Sequence, residues 1–428
     1  MNAVNDIHEL LAASHALHAA TPDKRLATKA ADLRTDSPSV SPAHTNDELM
    51  RFFTRHPEQT NVAVVAEGRP MGLVNKHVFM ESYAKPYAKE LFGRQSCVTW
   101  MNPSPLVVEE DTTVEVLMRM AVHQGESVLK DGFITVRHGR YSGTGSGFAL
   151  MQAMSELEAE KTRQLLASID YASHIQRAHL RDSDAHLAQA FPDSSLWWEP
   201  RDVVGGDGYF VRRLPQGALA AVIDCTGHGV PGAFMTLVVL SWLEQRVQGW
   251  PSGEPIDPGH WLSQLNRHVR RVLGQQVQRR PGELGHDDGL DIAMLWLPEG
   301  RDELLFASAH LSLLVLEADG SVVCVDGDKH GVGYAGTPDE TVWTTRRIVL
   351  HRPRLAMVVT DGVIDQPGGP KGIALGKQRL AAFFAAQRHR SASEVGAALS
   401  ELLKAWQGAQ CRRDDVTALC LRLPGVRS

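Results

Sequence analysis

Ala218-Leu219-Ala220-Ala221-Val222-Ile223-Asp224-Cys225-Thr226-Gly227-His228-Gly229 is an apolar run that ends in an aspartate and breaks into a glycine-flanked turn. Such a run reads as a buried strand. The stretch from Gly229 to Val247 reads as the helix after it, with Pro231 in the first turn, where proline is tolerated. The same grammar recurs along the chain. Asp202-Val203-Val204 leads through Gly205-Gly206 to Asp207, Leu355 to Thr360 is a strand running into Asp361-Gly362, and Asp414-Asp415 precedes a last strand from Val416 to Leu423. One such step is ordinary turn chemistry. Four aspartates, Asp207, Asp224, Asp361 and Asp414, each in a short Gly- or Thr-bearing motif, point to one carboxylate cluster assembled from distant strands. Carboxylate oxygens suit hard divalent ions such as Mg²⁺ or Mn²⁺.

At 428 residues the chain is too long for one ordinary core and fits two domains. A hydrophobic fraction of 43% and a charged fraction of 22% are those of a globular protein, and a net charge of −6 gives no basic field for nucleic acid. Cys97, Cys225, Cys324, Cys411 and Cys420 are odd in number and contain no Cys-x-x-Cys pair, which argues for a reducing compartment. The N-terminus lacks the apolar core of a secretory signal, and the longest apolar run, Ala233 to Leu243, is too short for a bilayer. The expectation is a cytoplasmic protein with no membrane partner.

Residues 1–45, rich in Ala, Ser, Thr, Pro and His, read as a flexible lead-in after a short helix that would carry His15 and His18. Over residues 46–148 short strands alternate with helices. Asn61 to Val65 and Met71 to Val74 flank a turn at Glu67-Gly68-Arg69-Pro70; Asp131 to Val136 and Tyr141 to Gly145 flank another at His138-Gly139-Arg140. Thr112-Thr113 before Val114 reads as a helix cap. This weak repeat resembles a pair of CBS modules, which act as regulatory sensors, often of adenine nucleotides. Gly143-Thr144-Gly145-Ser146-Gly147 would be the phosphate cradle of such a ligand, or simply a tight strand-to-helix connection.

Residues 149–190 contain the clearest helix. Leu150, Met154, Leu157, Leu165, Ile169, Ala172 and Ile175 recur at three- and four-residue steps with charged residues between them. It packs on its own domain or joins two subunits as a short parallel coil. Its place between a sensor and a catalytic domain favours a homodimer through this linker.

From residue 191 to 428 the motifs act together. Pro200-Arg201-Asp202-Val203-Val204-Gly205-Gly206-Asp207, Asp224 through Gly229 with Gly232-Ala233, Thr360-Asp361-Gly362 and Asp414-Asp415-Val416-Thr417 resemble the metal-dependent protein phosphatases (the PPM family) in their SpoIIE-type bacterial branch. The resemblance implies an α+β chain: a C-terminal antiparallel β-sandwich flanked by helices, a smaller N-terminal α/β CBS-like domain, and the linker helix between them. It implies two ions, Mn²⁺ or Mg²⁺. Asp207 and Asp224 would be ligands, Asp224 bridging, with the Cys225 carbonyl beside them and Asp361 and Asp414 completing the set; Asp415, next door, is the alternative to Asp414. His228 is either the general acid or a support of its turn.

The family resemblance further implies a phosphorylated Ser or Thr on a STAS-domain anti-sigma-factor antagonist, in a partner-switching pathway. Where the family often has Ala-Gly-His-Asn-Pro, this chain has Ser308-Ala309-His310-Leu311-Ser312, so His310 reads as structural. Asp287, Asp288 and Asp291 either approach the metals or a third ion or, the preferred reading, form an acidic surface loop, and Arg201 is a candidate phosphate contact by sequence proximity alone. The rival readings are a catalytically silent scaffold and a small-molecule phosphatase acting on a nucleotide.

Overall fold

The computed structural model describes residues 26–251, 254–275 and 287–425, which fall into two units, Met1–Leu165 and Leu166–Ser428. His15 and His18 lie outside the described residues.

In the first unit two halves repeat one pattern. α1 (Asn46–Arg55) is started by Thr45 and Glu48 in a capping box. β1 (Asn61–Ala66) and β2 (Arg69–Asn75) form a hairpin followed by α2 (Lys76–Tyr83) and the short α3 (Ala88–Phe92). The second half has β3 (Leu106–Glu109), α4 (Val114–Gln124) capped by Thr113, α5 (Glu126–Asp131), and the hairpin β4 (Phe133–Arg137) with β5 (Arg140–Gly145). Both hairpins turn through two successive residues of positive φ, Glu67-Gly68 and His138-Gly139, a conformation that matches the twist of a two-residue connection. A parallel partner precedes each: β3 pairs with β4, and Val40 bridges Val64.

That bridge corrects the expectation for residues 26–45, which are tied down rather than flexible. Val40 and Ala30 are buried, and Val40 exchanges backbone hydrogen bonds with Ala63 and Val65 at 3.0 and 2.8 Å. Pro38 and Pro42, which lack an N–H, flank this short paired segment. The glycines of Gly143–Gly147 also have packing reasons. A Cβ would meet the Arg34 side chain at Gly143, the Phe133 ring at Gly145 and the Leu129 backbone at Gly147, so the stretch is a close-packed connection.

α6 (Gly147–Ala190) begins in the first unit, where Leu150, Ala153 and Leu157 join its core, and ends in the second, where Leu180 and Leu187 are buried. Between them, residues 161–168 are all exposed. The apolar stripe misread the second end: Leu165 and Ile175 are exposed, and the buried face is Ser173, Gln176, Leu180, Ser183 and Leu187. Polar residues occupy it because they have partners. Ser183 Oγ, for example, accepts the Val211 N–H at 3.1 Å.

The second unit stacks two antiparallel sheets of five strands. One runs β13 (Arg346–Val349), β10 (Glu303–Ala309), β9 (Leu290–Pro298), β8 (Gly217–Cys225), β7 (Asp207–Leu214). The other runs β12 (Val322–Val325), β11 (Leu313–Leu316), β14 (Arg354–Val359), β17 (Val416–Leu423), β6 (Ser194–Glu199); β15 (Pro367–Gly368) and β16 (Ile373–Ala374) form a small separate pair. Along β8 the side chains alternate. Ala218, Ala220 and Val222 face the second sheet with Val358 and Leu419, while Leu219, Ala221 and Ile223 face α7 (Gly229–Gln248) and α8 (Pro258–Val272). Because both faces are covered, the strand is apolar throughout. On the far side, α9 (Asp361–Ile364) follows β14, while α10 (Lys377–Ala385) and α11 (Ala392–Gln407) cover Met357 and Ala418. The result is the α+β sandwich expected of the C-terminal half. Among the described residues no helix is long and apolar enough to cross a membrane.

Candidate metal centre

Strand register brings the carboxylates together. Asp207 opens β7 directly opposite Asp224 on β8, and Asp224 in turn stands opposite Asp291 on β9. From the second sheet, Asp361 starts α9 just beyond β14, and its N–H points at Asp224 Oδ2 at 3.4 Å. Asp414 and Asp415 lie just ahead of β17, the strand next to β14.

Asp207 is buried, and its Oδ2 accepts hydrogen bonds from Thr360 Oγ1 at 2.7 Å and Thr417 Oγ1 at 2.8 Å. Each hydroxyl comes from the second sheet, so this one oxygen ties the two sheets at the site. Burial, and then the charges of its neighbours, push the Asp207 carboxyl well above its ordinary range; two threonine hydrogen bonds oppose this without prevailing. Asp224 is pushed the same way by burial and by Asp207, Asp361 and Asp291. Asp361 opens to the surface and is still raised to about 6, by partial burial first and by the charge of Asp414 next.

The loop before Asp207 is held from two directions. Asp415 accepts the Arg201 and Gly206 N–H groups, one on each oxygen, both at 2.6 Å. Gln176 holds Gly205 from α6. The Gly206 carbonyl accepts the Cys225 N–H at 3.2 Å and a hydrogen bond from Thr236 Oγ1. A Cβ on Gly232 would collide with the Gly227 carbonyl and the Gly206 Cα, so glycine is needed where α7 crosses the loop.

Two histidines are each paired with an aspartate at 2.7 Å: His228 Nδ1 with Asp202 Oδ2, and His310 Nδ1 with Asp291 Oδ1. The second pair revises two readings. Asp291 belongs to a strand beside Asp224 rather than to a surface loop, because β9 pairs with β8 through Leu290. His310 has φ 63 in the β10–β11 connection, a left-handed conformation that turns the chain sharply beside the site. Burial disfavours its charged form, but the hydrogen bond and charge of Asp291 outweigh that and raise its pKa. Asp287 and Asp288 serve the loop: Asp287 accepts the Ala335 N–H at 2.7 Å and the Asp288 carbonyl accepts from Gln275 Nε2. The guanidinium of Arg201 donates to the Arg413 carbonyl at 3.0 Å. The pairing that sets Asp291 beside Asp224 joins residues 67 apart in sequence, so local pattern leaves its surface-loop and metal-side readings undivided.

Among the described residues no three His, Cys, Asp or Glu side chains already converge as a ready-made cage. The donor chemistry nonetheless suits a hard divalent cation. Buried carboxylates that raise one another's pKa are groups whose charge such an ion balances, and every donor is oxygen.

The profile of the family described as Stage II sporulation protein E (SpoIIE) matches residues 215–424. Among solved structures, the SiaA-PP2C domain of Pseudomonas aeruginosa is similar at 31% identity, over 62% of this chain and 99% of that one, with a TM-score of 0.53. The chain belongs to the SpoIIE family of PP2C-type phosphatases. Its sandwich is the PP2C fold, and the enzyme is a protein serine/threonine phosphatase. The matched segment of this SpoIIE-family chain includes Asp224, Asp361 and Asp414, while Asp207 precedes it and joins through its strand pairing. Other similar structures are the RsbU and RsbW domains of a Mycobacterium tuberculosis protein (21% identity, 56% of this chain, 62% of that one, TM-score 0.40) and the phosphatase domain with a regulatory fragment of Bacillus subtilis SpoIIE (17%, 55%, 64%, 0.42). No curated protein matches the chain.

Proposed function

We propose that this SpoIIE-family phosphatase holds two divalent cations, Mg²⁺ or Mn²⁺, at the carboxylate cluster, and hydrolyses phosphoserine or phosphothreonine on a folded protein partner. Asp207, Asp224 and the Cys225 carbonyl would hold the ions from the first sheet, and Asp361 and Asp414 would complete the set. Asp415 has both oxygens engaged by backbone amides, which supports its role as a brace and leaves the ligand position to Asp414. When bound, such a pair of ions supplies a water of near-neutral pKa and neutralises phosphoryl oxygens.

The chain's own residues set up that chemistry. Thr360 and Thr417 orient Asp207 by occupying one of its oxygens. His228, held by Asp202, is the proposed proton donor to the leaving serine or threonine oxygen. A second reading gives that role to His310, because its ring lines the same cavity as Asp361. The family resemblance points to a phosphorylated STAS-domain antagonist as substrate. It also makes the first unit a CBS-pair-like regulator, a reading supported by its two hairpins with matching turns. The exposed Leu165 and Leu166 of α6 support a homodimer through this helix. Calorimetry with adenine and guanine nucleotides tests whether the first unit takes such a ligand.

The observation that carries the reading is the register Asp207–Asp224–Asp291, with the Asp361 amide turned to Asp224. Hydrolysis of p-nitrophenyl phosphate with Mn²⁺, Mg²⁺ or chelator tests it. Metal-dependent turnover lost in Asp224→Asn and in Asp361→Asn supports the centre. Silence of the full chain and of residues 166–428 alone, with either metal, leaves the scaffold. Competition between a phosphopeptide and free nucleotides separates a protein phosphatase from a nucleotide phosphatase.

A further inference from the structure

A cavity of about 290 Å³ opens beside the carboxylate cluster and shares a wall with it, since Asp291, His310 and Asp361 all line it. Its other walls are mostly apolar: Leu314 and Val359 from β11 and β14, Ile364 from α9, and Leu380 and Ala381 from α10. Lys377, at the exposed start of α10, also lines it. A second hollow, at Arg301, Glu303 and Arg347, is lined by its own ion pairs and shares no residue with the cluster.

We propose that the cavity beside Asp361 is a substrate subsite, which takes an aliphatic side chain next to the phosphorylated serine while Lys377 faces an acidic neighbour on the same segment. The proposal rests on the reading of the cluster as the phosphatase centre. Three observations favour this occupant. First, the volume is at the bottom of the range for small-molecule pockets, roughly 300–1,000 Å³, and suits one or two side chains better than a cofactor. Second, an extended chain advances about 3.3–3.6 Å per residue, so a residue one or two places from a phosphoserine at Asp361 reaches a cavity that begins at Asp361. Third, the charge is complementary. Lys377 is a cation in the cavity wall; hydrogen bonds from Ser312 and Cys324 hold the nearby Asp326 carboxyl below its ordinary range, and the Lys377 charge adds to them. A carboxylate on the substrate segment would be attracted to that ammonium group.

The consequence is a sequence preference separable from chemistry. p-Nitrophenyl phosphate has no flanking residues and does not enter the subsite. A peptide does, and one well-buried aliphatic group changes kcat/KM by about tenfold or more.

The experiment uses the full chain with Mn²⁺ and phosphoserine peptides in which a single leucine is moved through the flanking positions of an otherwise alanine sequence. KM for the peptide is expected to fall about tenfold with leucine at one flanking position. Filling the cavity by Ala381→Phe, or covering its mouth by Gln378→Trp from an exposed position, should erase that gain and leave p-nitrophenyl phosphate turnover unchanged. Lys377→Glu should reverse the preference for a neighbouring aspartate in the peptide. Unchanged hydrolysis of the small substrate also reports that each variant folds. A flat leucine profile, or one that survives both cavity variants, overturns the subsite while the phosphatase stands. Absence of metal-dependent turnover of the small substrate in the wild type overturns the phosphatase reading, and the subsite with it.

Discussion

Gln176 on α6 and Gly205 in the loop before Asp207 hold each other by two opposed hydrogen bonds. Gln176 Nε2 donates to the Gly205 carbonyl at 2.7 Å, and the Gly205 N–H donates to Gln176 Oε1 at 3.3 Å. The Gln176 side chain is fully buried, so neither group has water to fall back on. One residue further on, Asp415 takes the Gly206 N–H from the opposite sheet. The approach to Asp207 is therefore clipped between a helix and a strand.

Gln176→Ala should strand both backbone groups of Gly205, at a cost of about 1–3 kcal/mol for each buried group left unsatisfied. The expected result is a lower melting temperature together with weaker metal binding, because the displaced loop leads into Asp207. Thermal unfolding and a metal titration check this. Weakened stability with intact metal affinity would show that the clip serves the fold alone.

The pH dependence follows from carboxyls whose folded pKa is raised. Asp361 is lifted to about 6, and Asp207 and Asp224 are raised too, above the ordinary aspartate value of about 3.9. A group raised on folding contributes stability that is fully present below its unfolded pKa and is lost as pH rises through its folded pKa. Metal-free protein should therefore lose stability as pH climbs from about 4 through about 6, and Asp361→Asn should flatten part of that slope. Excess Mg²⁺ should restore the loss above that window, since cation and protons compete for the same oxygens. Melting curves against pH, with chelator and with metal, read it out; a wild-type slope of opposite sign would overturn the account.

Two His–Asp pairs invite a comparison of leaving groups. p-Nitrophenolate departs without a proton, whereas a serine alkoxide needs one. Removing the proton donor should therefore slow a phosphoserine peptide by about 100-fold or more and scarcely touch p-nitrophenyl phosphate. His228→Ala is expected to show that split. If His310→Ala shows it instead, the histidine at the cavity is the donor, and equal losses on both substrates in either variant mean a structural role.

Much of the C-terminal unit was legible because its signals are local. β8, β14 and β17 are apolar runs covered on both faces, and each approaches or leaves an aspartate through turn residues. Asp207, Asp224 and Asp361 are brought together as their motifs suggested. Asp414 lies close enough for its charge to raise Asp361. His228 is marked by its place after Asp224, while its pairing with Asp202 spans 26 residues and has no local sign.

What went unread depends on partners far away in the chain. The stripe through Leu165 and Ile175 looked like the buried face of α6 because hydrophobicity was the only guide available. The protein instead buries Gln176 against a backbone 29 residues away, and Ser183 against β7. Val40 looked like part of a loose leader until Val64 supplied a strand to pair with.

Local sequence is enough for the strands and for the order of the aspartates at their ends, because side-chain period and turn chemistry act over a few residues. Packing of the folded chain sets Asp291 and His310 beside the cluster, engages both oxygens of Asp415 with the Arg201 and Gly206 amides while Asp414 Oδ1 accepts the Asp415 N–H, and opens a cavity at Asp361. Those outcomes depend on which strands lie side by side, and that is set by the packing of two whole sheets rather than by any segment within them.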